Sequence, residues 1–169
     1  MASLFLNLAV ITTGLYAGFL LTFLIAVMPG LAALPDDRFT AAMRRFNEKV
    51  PGPAFLILFL GAIVFPGIAV FTENGEKWWG LVVIVLACAV VSHLVTIGGN
   101  IPLNKALAEA EAEAEAEAEA EAEIGDGGGV GGGDETAART AFEARWNAFH
   151  RFRTALSLLA FVLLVVAAH

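Results

Sequence analysis

Two sets of polar residues stand on otherwise apolar stretches of this chain at helical spacing. His93, Thr96, Asn100 and Asn104 follow one another at intervals of 3, 4 and 4, and Glu143, Trp146, Asn147, His150 and Arg153 at 3, 1, 3 and 3. Such intervals place side chains on one face of a helix. His150 is the one group on its face that titrates near neutrality, the property a general base needs, for a substrate entering from the bilayer side. A third pair, Asn47 and Glu48, belongs at the same depth. Tyr16, inside Gly14-Leu15-Tyr16-Ala17-Gly18, is placed to offer a hydroxyl to a cavity. Each residue also has a structural reading. Arg151 and Arg153 can snorkel, Trp146 can anchor at an interface, Glu48 can cap a helix ending at Pro51, and the two glycines can serve close helix packing.

The elements that must carry these groups are membrane spans. The chain has 169 residues, 58% hydrophobic and 16% charged, with a mean hydropathy of +0.74, against about half and a quarter for a soluble domain. This argues for an all-α, four-transmembrane-helix bundle forming a single integral membrane domain over 1–169, with spans near 2–28, 53–71, 78–98 and 149–168. The first three are free of charge and close to the roughly 20 residues that cross a bilayer. The fourth has too short an apolar run and must begin earlier, which draws His150, Arg151 and Arg153 to the membrane boundary. The first span is too long and too poor in basic residues for a cleaved signal.

Charge gives the orientation. Arg38, Arg44, Arg45, Lys49, Lys105, Arg139, Arg145, Arg151 and Arg153 fall in the two long linkers or at their edge, and Lys77 alone falls in the short turn between spans two and three. The positive-inside bias predicts a multi-pass protein of the cell membrane with both termini outside and both long linkers cytoplasmic. Between the first two spans, Phe39, Met43, Phe46 and Val50 recur at 4, 3 and 4, while Arg44, Arg45 and Lys49 take other faces. That pattern predicts a cytoplasmic, interfacial amphipathic helix lying on lipid. Trp78 and Trp79 belong at the opposite headgroup level.

The net charge of −7 is concentrated in a Glu-Ala run from Glu109 to Glu123 that holds eight of the seventeen acids. The remaining nine acids face ten bases, so the rest of the chain nearly balances, and nothing suggests a nucleic-acid partner. Residues 109–133 read as a low-complexity acidic and glycine-rich cytoplasmic insert. The Glu-Ala part either prolongs the third helix or frays, since Glu repels Glu at i,i+4, and the glycines form a tether. Gly98, Gly99 and Pro102 predict a bend near Asn100. A single Cys88 excludes a disulfide framework. No phosphate loop, dinucleotide fingerprint or Ser-His-Asp set is present, so no cofactor is expected. For metal, the expectation is none, with His93 and His150 as a weak alternative.

The element Asn100-Ile101-Pro102-Leu103-Asn104, followed by Trp146-Asn147 with His150 and Arg153, resembles the anthrone oxygenase-like family. Met28-Pro29-Gly30 and Met43 through Asn47 add to the likeness. The insert at 109–133 is the departure. These are small four-helix membrane proteins, some of which oxidise anthrones to anthraquinones with molecular oxygen. The resemblance implies an oxygen-dependent oxidoreductase acting on a lipophilic aromatic at the cytoplasmic end of the bundle. His150, Arg153, Asn100 and Asn104 would be its catalytic residues, the first as base and the others as donors to a developing oxyanion. Trp146, Asn147, Asn47 and Tyr16 would bind the substrate, with Trp146 supplying a stacking face. The alternative is a non-enzymatic four-helix protein that binds a lipid or a partner. The expected partners are the bilayer, a lipophilic small molecule and a second copy of the chain.

Overall fold

The structure is a computed structural model and describes residues 3–124 and 132–169. The described residues are helical with no strand. In chain order they form α1 (Leu4–Thr22), a π turn (Phe23–Val27), α2 (Met28–Ala32), α3 (Asp36–Lys49), α4 (Pro53–Thr72), α5 (Trp79–Val95), a second π turn (Thr96–Asn100), α6 (Ile101–Ile124) and α7 (Gly132–Ala167).

Four helical rods within this order are long and apolar enough to cross a membrane: Leu4–Ala32, Pro53–Thr72, Trp79–Ala114 and Glu135–Ala167. The chain is a multi-pass membrane protein built as a four-helix bundle. Around the bundle α1 packs on α4, α4 on α5, α5 on α7, and α7 on α1. One inner core joins Leu6, Ala69, Val85 and Leu164, all nearly inaccessible, while Ile57, Phe71, Leu94 and Val162 face outward, as expected where lipid is the solvent. Close approach is set by missing side chains. A Cβ on Gly14 would stand 2.7 Å from the Phe161 ring, and one on Gly99 would stand 2.9 Å from the Phe149 ring. Gly18 faces open space, so the Gly14–Gly18 pair packs through Gly14 alone.

Three of the rods exceed what a bilayer requires. At about 1.5 Å per residue, the 33 residues of Glu135–Ala167 extend well beyond about 30 Å of hydrocarbon. The Glu-Ala run continues α6 to Ile124 instead of fraying. Most of the glycine tether lies outside the described residues. The projecting ends of α6 and α7, with α2 and α3, bury a second core around Phe39, Met43, Leu107, Phe142 and Trp146.

This core changes the reading of α3. The helix exists and is amphipathic, but it spends Phe39 and Met43 on protein, not on lipid, and both are fully buried. Arg44, expected on a solvated face, is only 8% exposed. Its Nε donates to the Leu107 carbonyl at 2.9 Å and its Nη1 to Glu135 at 2.8 Å. A helix-spacing count treats Arg44 as outside because it cannot see α6 and α7 rising beside α3. Arg139 fastens the other end of α3, donating to the carbonyls of Ala32 and Leu34 and to Asp36, with its guanidinium 4.3 Å from the Phe39 ring centre. Thr136 also donates to Asp36, at 2.6 Å. Together these hydrogen bonds, that of Thr136 foremost, hold the Asp36 carboxyl below its usual range.

Both π turns precede a proline by two residues, Pro29 and Pro102. Proline lacks an amide hydrogen and crowds the carbonyl one turn back. A wider turn, with Met28 N–H bonding Phe23 and Ile101 N–H bonding Thr96, lets each rod continue. The second of these turns falls at Asn100, where the glycines and Pro102 predict an irregularity. Such turns gather at functional sites, and both of these pack on α7.

Candidate functional site

Where the rods pass from the four-helix bundle into the projecting core they enclose a cavity of about 160 Å³. Its apolar wall is aromatic, with Phe19, Phe23, Phe46, Phe55 and Phe59. Its polar wall carries Asn47, Thr96, Asn100, Asn104, His150 and Arg153, beside the face of Trp146. Four positions on α3, the second π turn and α6, and three on α7, thus converge on one space. The two polar stripes do meet.

His150 is wholly buried. Its Nε2 lies 3.0 Å from the Leu20 carbonyl, which can only accept, so this partner assigns the proton to Nε2. The lone pair is therefore on Nδ1, which accepts from Arg153 Nε and Nη2 at 3.2 and 3.0 Å. Trp146 stacks on the imidazole with ring centres 4.7 Å apart. The Arg153 guanidinium lies 5.6 Å from the Trp146 ring centre, and its Nη1 donates to Thr96 Oγ1 at 3.1 Å. Arg153 is 8% exposed and pairs with no carboxylate among the described residues. A buried cation without an anion is costly, and this one borders a cavity.

The two asparagines divide their work through Trp146. Asn100 Nδ2 donates to the Trp146 carbonyl at 3.2 Å, and its buried Oδ1 has no partner. Asn104 Oδ1 accepts from the Trp146 indole at 2.9 Å, which leaves its amide hydrogens at the cavity wall. Asn47 also lines the cavity with a buried, unpartnered Nδ2. Glu48 instead pairs with Arg45 at the exposed surface.

Tyr16 and Asn147 do not line this cavity. Asn147 follows Trp146 directly, about 100° around the helix, and is half-buried off the face. Tyr16 lies one turn deeper than Leu20. Its ring fills the space against Phe55, Phe59 and His93, and its hydroxyl, without a partner, adjoins a small void shared with Thr13, Ser92 and Ser157. His93 stands there too, each nitrogen 2.7 Å from a carbonyl oxygen, of Ala89 and of Phe59. With both nitrogens of both histidines engaged elsewhere, His93 and His150 do not form a metal site. No group of three or more His, Cys, Asp or Glu among the described residues could hold a metal ion.

Sequence spacing missed the Leu20 carbonyl, which fixes the His150 tautomer, because a backbone oxygen leaves no mark in the residue types. The phenylalanine wall was missed for the opposite reason, since Phe is common throughout apolar spans.

A family model described as Anthrone oxygenase matches residues 39–163. The chain belongs to the anthrone oxygenase family. The matched residues run from within α3 to near the end of α7, so the whole polar wall lies inside the family region and the Leu20 carbonyl outside it. Comparisons with curated proteins and with solved structures give no match.

Proposed function

We propose that the chain is a membrane oxidoreductase that uses molecular oxygen on a lipophilic aromatic of the anthrone type, with Arg153 holding the substrate's developing oxyanion. The observation that carries this reading is the buried, anion-free guanidinium on the wall of an aromatic-lined cavity. Such a group stabilises charge that appears on an oxygen during reaction.

The reaction balances as CH₂ plus O₂ giving C=O plus H₂O at the substrate carbon. A base takes one C–H proton, and the resulting enolate places negative charge on the carbonyl oxygen against Arg153. The carbanion carbon then bonds to oxygen, the proton returns to form a hydroperoxide, and loss of the second C–H proton with hydroxide gives the ketone and water. His150 Nδ1 is the base. Its lone pair becomes free as Arg153 moves its hydrogen bonds from the imidazole to the substrate oxyanion, so the two events are coupled. The Trp146 face and the phenylalanine wall hold a flat ring system, and Asn104 and Asn47 supply amide hydrogens to further substrate oxygens. Asn100 positions Trp146, and its free Oδ1 suits a substrate hydroxyl or an internal water.

The excess of basic residues at the cavity end supports placing that end in the cytoplasm of the cell membrane, where a substrate dissolved in the bilayer reaches the cavity laterally. Oxygen uptake by purified protein with an anthrone tests the reading. Arg153→Gln is expected to lower turnover by about 10²–10³, with Arg153→Lys intermediate. An Arg153→Gln protein as fast as the parent overturns it. A parent inactive on anthrones and lipophilic phenols favours instead a cavity in which the same cation holds a lipid headgroup.

A further inference from the structure

The end of the bundle remote from the candidate site holds a second cavity, of about 390 Å³, between the start of α1, the turn joining α4 to α5, and the end of α7. Glu73, which closes α4, borders it and is only 9% exposed. Its Oε1 is buried without a hydrogen-bond partner, and no ion pair reaches the carboxylate among the described residues. A carboxylate withdrawn from water is expensive unless a cation compensates it. Lys77 does not, because its ammonium lies over the Trp78 ring, 4.2 Å from the centre. Glu76 adds a second negative charge to the same wall.

The rest of the wall indicates which cation. The cavity is far too large for a bare ion, and no metal-ligating group of three stands there. Its volume lies in the range of small-molecule sites. Trp78 and Trp79 both line it, and indole faces attract organic ammonium groups. The Lys77 ammonium on Trp78 is an example within this chain. Trp79 is held in place by its Nε1, which donates to the Val70 carbonyl at 2.8 Å. Leu6 and Val82 supply apolar surface alongside.

We propose that this cavity binds an organic ammonium carried on a hydrocarbon, with the cation against Glu73 and the Trp79 indole and the hydrocarbon along Leu6 and Val82. The ammonium comes from a lipid headgroup or from a free lipophilic amine, and the recognition chemistry is shared. This inference does not depend on the oxidoreductase reading, since the two cavities share no lining residue.

The test uses the full chain in dodecyl maltoside micelles, which carry no amine. Dodecyltrimethylammonium and uncharged dodecanol are titrated by calorimetry, and retention of added phosphatidylethanolamine against phosphatidylglycerol is read by native mass spectrometry. Saturable binding of the alkylammonium but not the alkanol, weakened about tenfold or more in Glu73→Gln, supports the proposal. Selective retention of phosphatidylethanolamine that Glu73→Gln abolishes supports it with a lipid as the source. Glu73→Gln is nearly isosteric and removes a buried charge, so folding is not at risk. Equal binding of dodecanol, unchanged affinity in Glu73→Gln, or no binding in either arm overturns it.

Discussion

Arg153 donates two hydrogen bonds, at 3.2 and 3.0 Å, to the one nitrogen of His150 that carries a lone pair. The cation and the base therefore restrain each other. While the guanidinium is on Nδ1 the imidazole cannot take a proton, and only something that draws the guanidinium away releases it. In the proposed reaction, the oxyanion that develops as the substrate loses its proton would do so. A neutral molecule in the cavity offers Arg153 weaker inducement to move.

This relationship can be separated from a purely structural one. His150→Gln can still donate to the Leu20 carbonyl and accept from Arg153, but it has no basic nitrogen. We expect the melting temperature to stay within a few degrees of the parent while anthrone oxidation falls by about 10²–10⁴. Retained oxidation with an intact fold would remove His150 from the chemistry.

Sidedness is open to a direct measurement. Cys88 is buried, so an Arg38→Cys protein carries a single accessible thiol on α3. With the cavity end in the cytoplasm, a membrane-impermeant maleimide should label it only after lysis. Labelling in intact cells would reverse the orientation.

Docking of α3 should weaken in acid. The Asp36 carboxyl is held below its ordinary value of 3.8, first by Thr136 and then by Arg139. A depressed carboxylate contributes stability that is complete above the ordinary value and disappears as pH falls through the lowered one. Protection of the α3 amides, taken relative to their intrinsic exchange at each pH, should fall on moving from about pH 5 to below 3.8, and Asp36→Asn should abolish the difference. An unchanged acid response in Asp36→Asn would assign the effect to other carboxylates.

The membrane spans and both polar stripes were legible in the sequence because hydrocarbon penalises polar groups so strongly that their positions stand out. Asn100, Asn104, His150 and Arg153 were found in this way, and Asn47 as well. The same logic failed where protein replaced lipid or water as the neighbour. Spacing alone puts Arg44 on a solvated face, because nothing in its own helix announces Leu107 or Glu135. Spacing assigns Phe39 and Met43 to lipid for the same reason. Tyr16 and Asn147 were misplaced by geometry on their own helices, one a turn too deep and the other beside Trp146 rather than in line with it.

The paired wide turns have a consequence for how the molecule can change. Each inserts a residue beyond the ordinary helical count, and one residue corresponds to about 100° of rotation. The angular phase of Leu107 relative to His93, and of Leu31 relative to Leu20, is thus set within five residues on each rod. On these two rods the collar segments α2 and α6 are phased separately from the spans they continue, whereas α7 runs through collar and bundle as one uninterrupted helix. A residue gained or lost within either turn would swing α2 or α6 by about 100° against α7 while leaving the span before it in register.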